Sequence, residues 1–209
     1  MDHDGTLVDS EPVHLALWQA VLAPLGVNLT EAQYRQHHAG VPTPANAVDL
    51  VQRFALDVSP QALVEAKNRA TLAHLADRAF PLMPGALDVL RRWHHLGRPL
   101  AIVTGAGPEG VAATLKHHGL AAWVSTVVTG DDVPHSKPAP DVYLLALQRL
   151  GLAASQCLAV EDTQHGVTAA TAAGLRCLAL PNALSAHHRF DQAHAVLGSW
   201  ADVESYFDS

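Results

Sequence analysis

Cysteine is scarce in these 209 residues: there are two, Cys157 and Cys177, each inside an apolar run, CLAV and CLAL. Two isolated thiols exclude a disulfide framework and fit a reducing compartment. No apolar run reaches membrane-spanning length and no secretory leader opens the chain, so the expectation is a cytoplasmic protein with no membrane partner. Basic side chains are few, 13 against 20 acidic, for a formal charge of −7. No Lys/Arg run or stripe appears, and nucleic acid is therefore excluded as the expected partner. Internal repeats and low-complexity tracts are missing too.

What the chain has is apolar residues, 49% of the total, dominated by Ala, Leu and Val. That is enough for a buried core in one ordinary domain, or in a core domain with a modest insertion. Nothing in the composition asks for a partner copy, and a monomer is the default. Histidine is abundant: protonating all 14 would carry the net charge to +7, so charge varies strongly between about pH 5 and 7. The pairs His37-His38, His94-His95, His117-His118 and His187-His188 look like metal ligands at first sight. Neighbours on a helix diverge by about 100°, and no pair has the i, i+4 spacing of a zinc helix. They read as surface or helix-end residues.

From residue 80 onward, helical and strand patterns alternate. ALDVLRRWHHLG is followed by PLAIVT, EGVAATLKHHG by WVSTVVTG, PDVYLLALQRLG by CLAVED, and HGVTAATAAG by RCLALP, before the closing HAVLGSWADVESYF. This alternation predicts an α/β fold with a doubly wound parallel sheet. Residues 11–79 read as helical throughout, with Ser59-Pro60 as an N-cap and first-turn proline. The expected organisation is an α/β core of residues 1–10 and 80–209 carrying an inserted all-helical cap, 11–79. A parallel sheet needs a strand to deliver Asp2, and only Met1 stands before it. Either apolar residues precede the given start, or the sheet is depleted there.

Ligands of open α/β sheets bind outside the carboxyl ends of the strands. Four stretches fall at those ends: DHDGT, VTGAG, HSKPAPD and VEDTQHG. They offer the carboxylates of Asp2, Asp4, Glu161 and Asp162, the ammonium of Lys137, the hydroxyl of Thr104, and the amides of Gly105 and Ala106. Hard oxygens at a converging site suit Mg2+, which takes a few carboxylates together with a substrate phosphate. Lys137 and the metal would offset a phosphoryl group and keep Asp2 ionised as a nucleophile. Asp4, two residues on, could protonate the leaving oxygen and later activate water. Gly5 and Thr6 let the backbone turn its amides toward phosphate oxygens. Each feature also has a plainer reading: a solvated acidic N-terminus, Asp162 as a helix cap, Lys137 as a loop residue.

DHDGTLVDSEP matches the pattern DxDGTLxDSE, Thr104 a second-motif hydroxyl, SKPAPD a lysine motif, and VEDTQHGVTAATAAG the pattern EDSxxGxxAAxxAG. In these four ordered motifs the chain resembles the haloacid dehalogenase superfamily of aspartate-nucleophile phosphotransferases. Within it, the chain is similar to the helical-cap branch of β-phosphoglucomutase and many sugar-phosphate phosphatases. The resemblance implies Asp2 as nucleophile and Asp4 as general acid/base. It implies magnesium on Asp2, the Asp4 carbonyl and Asp162, with Glu161 close by, and phosphoryl contacts from Thr104 and Lys137. His14 sits where many cap-bearing members carry a hinge histidine. Lys67-Asn68 resembles a Lys-Asn pair of the mutase branch, although a solvated helix face explains it equally well. Mutases of the branch carry an arginine just after the cap's Gly-Val turn. Here AGVPTPAN places Thr43 near that position, and the next arginine is Arg53. The loss of a guanidinium fork favours hydrolysis over mutase chemistry. The expected substrate is a small phosphorylated metabolite, a sugar or polyol phosphate.

Two rivals stand beside this reading. GAGPEG, residues 105–110, is a literal G-x-G-x-x-G with Asp131-Asp132 some twenty residues on, as an NAD-binding oxidoreductase would have. That reading leaves DHDGT, SKPAPD and VED unexplained. The other rival is a scaffold that keeps the fold without the chemistry.

Overall fold

Residues 1–208 are described by the computed structural model. They form two units, Ser10–Ala79 and Met1–Asp9 joined with the chain from Phe80 onward.

The first unit is all-helical: α1 (Glu11–Leu22), α2 (Glu31–His37), α3 (Thr43–Arg53) and α4 (Pro60–Asp77). Its helix starts are written in the sequence. Thr30 and Gln33 form a reciprocal capping box on α2, and the Ser59 hydroxyl accepts the Ala62 N–H on α4 at 3.1 Å. Trp18, Leu22, Leu29, Tyr34, Leu50 and Leu63 make the core. The turn after α2 is held from within. Glu11 accepts the Tyr34 hydroxyl at 2.5 Å and the Gly40 N–H at 2.9 Å, and buried Asn46 donates to the carbonyls of His38 and Val41. His38 is itself buried, at the helix end.

The second unit alternates: α5 (Ala86–His95), β1 (Leu100–Val103), α6 (Pro108–His117), β2 (Val124–Val128), α7 (Asp141–Leu150), β3 (Leu158–Glu161), α8 (Gln164–Ala172), β4 (Arg176–Ala179), β5 (Ala195–Val196) and α9 (Trp200–Asp208). Every strand pair is parallel, β1 with β2 and β3–β4–β5 in order. This is a doubly wound α/β fold. Ala169, Ala170 and Ala173 let α8 sit close on β3 and β4 over a core of Val103, Val128, Val142 and Val167. Trp93 of α5 meets Trp200 edge-on at 6.0 Å and Phe207 at 4.7 Å, which locks α5 to α9.

Between the two ladders runs the backbone of Met1 and Asp2. The Met1 ammonium donates to Ala101 O at 2.9 Å, Val103 N–H donates to Met1 O at 2.9 Å, and Asp2 N–H donates to Val160 O at 2.9 Å. A cavity of about 370 Å³, lined by Met1, Trp93, Leu158, Val160 and Phe207 together with Arg98 and Gln156, opens beside the first residue. Burial lowers the pKa of the Met1 amino group.

Candidate active site

The carboxyl ends of the strands deliver the site. The Met1–Asp2 ladder places Asp2, β1 runs into Thr104, β3 ends in Glu161 followed by Asp162, and the loop between β2 and α7 carries Lys137. Asp2, Glu161 and Asp162 are all buried, and one carboxylate oxygen from each lies within 4.8 Å of the others. Lys137 Nζ is inserted among them. It donates to Asp2 Oδ1 at 2.6 Å, Glu161 Oε1 at 2.5 Å and Val103 O at 2.9 Å. Buried Tyr143 on α7 also donates its hydroxyl to Glu161 Oε1.

The glycines are needed for space. A Cβ on Gly5, whose φ is +83°, would stand 2.3 Å from Asp162 Oδ2. One on Gly166 would stand 1.8 Å from Glu161 Oε2, so the first turn of α8 can accept the carboxyl group because that side chain is absent.

The electrostatics are unbalanced. Burial opposes the charge on Lys137, but Asp2 and Glu161 more than offset this and raise its pKa, so it is firmly an ammonium. Burial pushes the Glu161 carboxyl up to about 7 against the pull of Lys137, with Asp2 adding to the rise. Burial first, then Asp2 and Glu161, raise Asp162 to about 8. Three carboxyl groups thus share one cation away from water, and Glu161 Oε2 has no hydrogen-bond partner among the described residues. The donor set is hard oxygen, anionic and short of positive charge. It fits a magnesium ion.

Other site residues are placed as follows. Thr6 Oγ1 donates to Asp162 Oδ1 at 3.3 Å, and its carbonyl is anchored by the Trp200 indole at 3.0 Å. Thr104 is buried, and its hydroxyl accepts the Ala106 N–H at 3.0 Å, while Gly105 and Ala106 are exposed. The Asp4 carboxylate is not one of the clustered three; it accepts from His3 Nδ1 at 3.1 Å. In the helical unit, His14 and Lys67 come together. Lys67 Nζ donates to Thr71 Oγ1 at 3.0 Å, lies 3.3 Å from His14 Nδ1 and sits over the Trp18 ring at 5.5 Å. Lys67 is 2% exposed, so the solvated-face reading fails, and burial lowers its pKa to about 8. Thr43 opens α3, half-buried.

Sequence reasoning passed over His3, Tyr143 and Asn182. Tyr143 hides in an apolar helical pattern, and Asn182 in a turn. Asn182 does follow β4, at the same sheet edge as the four motifs, which is the one signal that could have found it. His3 is buried between Phe80 and Thr114. Its Nδ1 meets Asp4 Oδ2 at 3.1 Å, and its Nε2 meets the Thr114 hydroxyl at 2.9 Å.

The glycine run at 105–110 is not a dinucleotide cradle. α6 starts at Pro108, and a Cβ on Gly110 would press on the Phe80 ring at 3.2 Å and on His3 at 3.5 Å, so that glycine serves packing. Residues 1–174 match the family model of haloacid dehalogenase-like hydrolases. The chain belongs to that family. Among relatives of this hydrolase, it is 38% identical over 174 residues to fructose-1-phosphate phosphatase YqaB of Escherichia coli (strain K12), covering 83% of this chain and 90% of the relative. It is 33% identical over 217 residues to the plasmid-borne protein CbbY of Cupriavidus necator, covering 96% and 84%. Among solved structures, it is similar to a mutant CbbY from Rhodobacter sphaeroides in complex with xylulose-(1,5)bisphosphate. The TM-score is 0.79 at 28% identity, over 96% of this chain and 93% of that one. The oxidoreductase reading ends with the family match.

Proposed function

We propose that this haloacid dehalogenase-like hydrolase is a magnesium-dependent phosphatase acting on a small phosphorylated sugar or polyol through an aspartyl-phosphate on Asp2. The observation that carries the reading is the buried junction of Asp2, Lys137, Glu161 and Asp162 at the carboxyl end of the sheet. Lys137 engages Asp2 Oδ1, which leaves Oδ2 as the attacking oxygen. In-line attack on phosphorus forms the Asp2 acyl phosphate as the substrate's alkoxide departs. Asp4 gives that alkoxide its proton, then takes one from the water that opens the acyl phosphate. His3 and Thr114 orient Asp4 for both transfers. The side chains of Asp2 and Asp162 and the Asp4 carbonyl would hold magnesium, with Glu161 beside them. The ion supplies positive charge to phosphoryl oxygens and to the crowded carboxylates. Lys137 supplies the protein's own share of that charge, and the loop amides after Thr104 add donors.

The named activity of YqaB and the sugar bisphosphate bound to the CbbY mutant support a phosphosugar as the substrate class. Hydrolysis is favoured over transfer to a second sugar hydroxyl because the turn at residues 40–46 lacks an arginine. Arg53, the next one along, is paired with Asp49 at 2.9 Å. We propose the enzyme works as a cytoplasmic monomer. The test is a magnesium-dependent phosphate-release screen over ketose phosphates, polyol phosphates and pentulose bisphosphates, with Asp2→Asn as control. The variant should be folded and inactive. Activity that persists in Asp2→Asn refutes the nucleophile. Efficient conversion of β-glucose 1-phosphate to glucose 6-phosphate with a bisphosphate primer overturns the hydrolase reading.

A further inference from the structure

Beyond the end of β4, one side chain reaches back into the carboxylate cluster from a segment that none of the four motifs contains. Asn182 stands in the turn Pro181–Ser185. Its Oδ1 accepts the backbone N–H groups of Leu184 at 2.8 Å and Ser185 at 3.3 Å, while its own N–H donates to the buried Ser185 hydroxyl at 3.1 Å. These contacts decide which end of the amide is which, because Oδ1 can accept two N–H groups and Nδ2 cannot. The nitrogen end therefore faces the site. It donates to Asp162 Oδ2 at 2.8 Å and to the Gly5 carbonyl at 3.1 Å. The Thr6 hydroxyl takes the other oxygen of Asp162. Asp162 is gripped on both oxygens, and the same amide ties the loop bearing Asp2 and Asp4 to the strand end bearing Asp162.

We propose that Asn182 is a positioning residue for the magnesium site, fixing the Asp162 carboxylate and the 2–6 loop in ligating register and so setting metal affinity. The inference rests on the reading of that cluster as a magnesium site. Both donors of the Asn182 amide point to site groups, whereas the turn that carries it is closed by its acceptor oxygen and by Ser185. Removing the amide takes two donors from the site and the acceptor from the turn, so metal affinity is read beside metal-free stability to separate the two. Groups that orient a metal ligand in this way are typically worth about 10- to 100-fold in metal affinity.

The experiment uses the full chain, wild type and Asn182→Ala, with Asn182→Ser as the gentler replacement should the alanine variant fold poorly. Magnesium dissociation constants come from calorimetry and from the magnesium-induced rise in melting temperature, alongside the melting temperature in chelator. The expected result is a 10- to 100-fold weaker magnesium constant, larger than any accompanying loss of metal-free stability explains. A folded variant that binds magnesium like the wild type, with nothing altered except its metal-free melting temperature, overturns the role of Asn182 and leaves the phosphatase reading standing. A wild-type chain that binds no magnesium overturns both.

Discussion

Replacing Asp162 with asparagine in protein stripped of divalent ions isolates the energetic cost of the site. The Asp162 carboxyl is 4% exposed and is raised from its ordinary 3.8 to about 8, chiefly by burial and then by Asp2 and Glu161. Between those two values the folded chain holds a proton that the unfolded chain has released. Stability from this group is therefore complete below about pH 4 and drains away as pH rises toward 8. Four units of displacement at about 1.4 kcal/mol each amount to roughly 6 kcal/mol. Relaxation and water entry around a partly accessible carboxylate should remove about half, leaving about 2–3 kcal/mol. Asparagine is neutral at every pH and keeps the shape. It still accepts from Asn182, and the Thr6 hydroxyl can turn to accept from the new amide.

Metal-free Asp162→Asn should thus be more stable than the wild type by about 2–3 kcal/mol near pH 8, a gain of roughly 5–10 °C in melting temperature. Near pH 5 the two should converge. His38, His74 and His188, whose pKa values burial lowers, contribute stability that is lost as pH falls. They are the same in both proteins and cancel in the difference. Magnesium should cancel the difference at about a hundred times its dissociation constant, which adds about 2.7 kcal/mol to the chain that binds it, and invert the order at about a thousand times, which adds about 4.1 kcal/mol. Urea denaturation in chelator and then in millimolar magnesium, at three pH values, measures all of this. An asparagine variant that is less stable than the wild type at every pH in chelator would refute the reasoning, since the carboxylate would then be contributing to the fold rather than straining it.

Two further outcomes follow from buried charge elsewhere. Lys67→Met should stabilise the protein by about 1–3 kcal/mol at neutral pH, because it removes a buried ammonium whose hydrogen-bond partners among the described residues include no carboxylate. The wild-type deficit should shrink as pH climbs from about 8 toward 10.5, where the folded chain has shed the proton and the unfolded chain has not; a destabilised Lys67→Met in equilibrium urea melts would contradict this. Fusing three or four apolar, β-branched residues in front of Met1 should raise the melting temperature by several degrees, roughly 2–4 °C per kcal/mol for a chain of this size. The added segment fills the cavity beside Met1 and carries the ammonium out of burial; an unchanged or lower melting temperature would show that this slot does not accept a strand.

How much of this was legible depended on the length scale of the signal. The alternation after residue 80 is a period of whole elements, so the doubly wound sheet could be read, and with it the fact that Asp2, Thr104, Lys137 and Asp162 stand at one sheet edge. Residues that acquire meaning from a single contact across the fold could not be read. His3 owes its place to Thr114 and Phe80, more than seventy residues away, and its motif position alone would suit any buried side chain. Lys67 read equally as half of a Lys-Asn pair and as a solvated face because its helix has mixed polarity throughout, while its burial comes from Trp18 and the pairing with His14. Gly166 could be read only as one position of the fourth motif, and its reason, the room that Glu161 needs, lies in the fold.

These particulars have a common physical root. A single ammonium cannot neutralise three buried carboxyl groups, and the chain nonetheless brings them together by several independent devices: ladder bonds on Asp2, missing Cβ atoms at Gly5 and Gly166, and donors from Thr6, Tyr143 and Asn182. Each device holds an acid close to another acid, which no fold requires for its own stability. The arrangement is favourable only when more positive charge arrives, and a divalent ion brings enough to admit a phosphoryl dianion as well. On the proposed magnesium reading, the crowding of these carboxyl groups is the counterpart of metal affinity, and the stability of the metal-free protein and the binding of magnesium should move in opposite directions whenever a carboxylate of this cluster is neutralised.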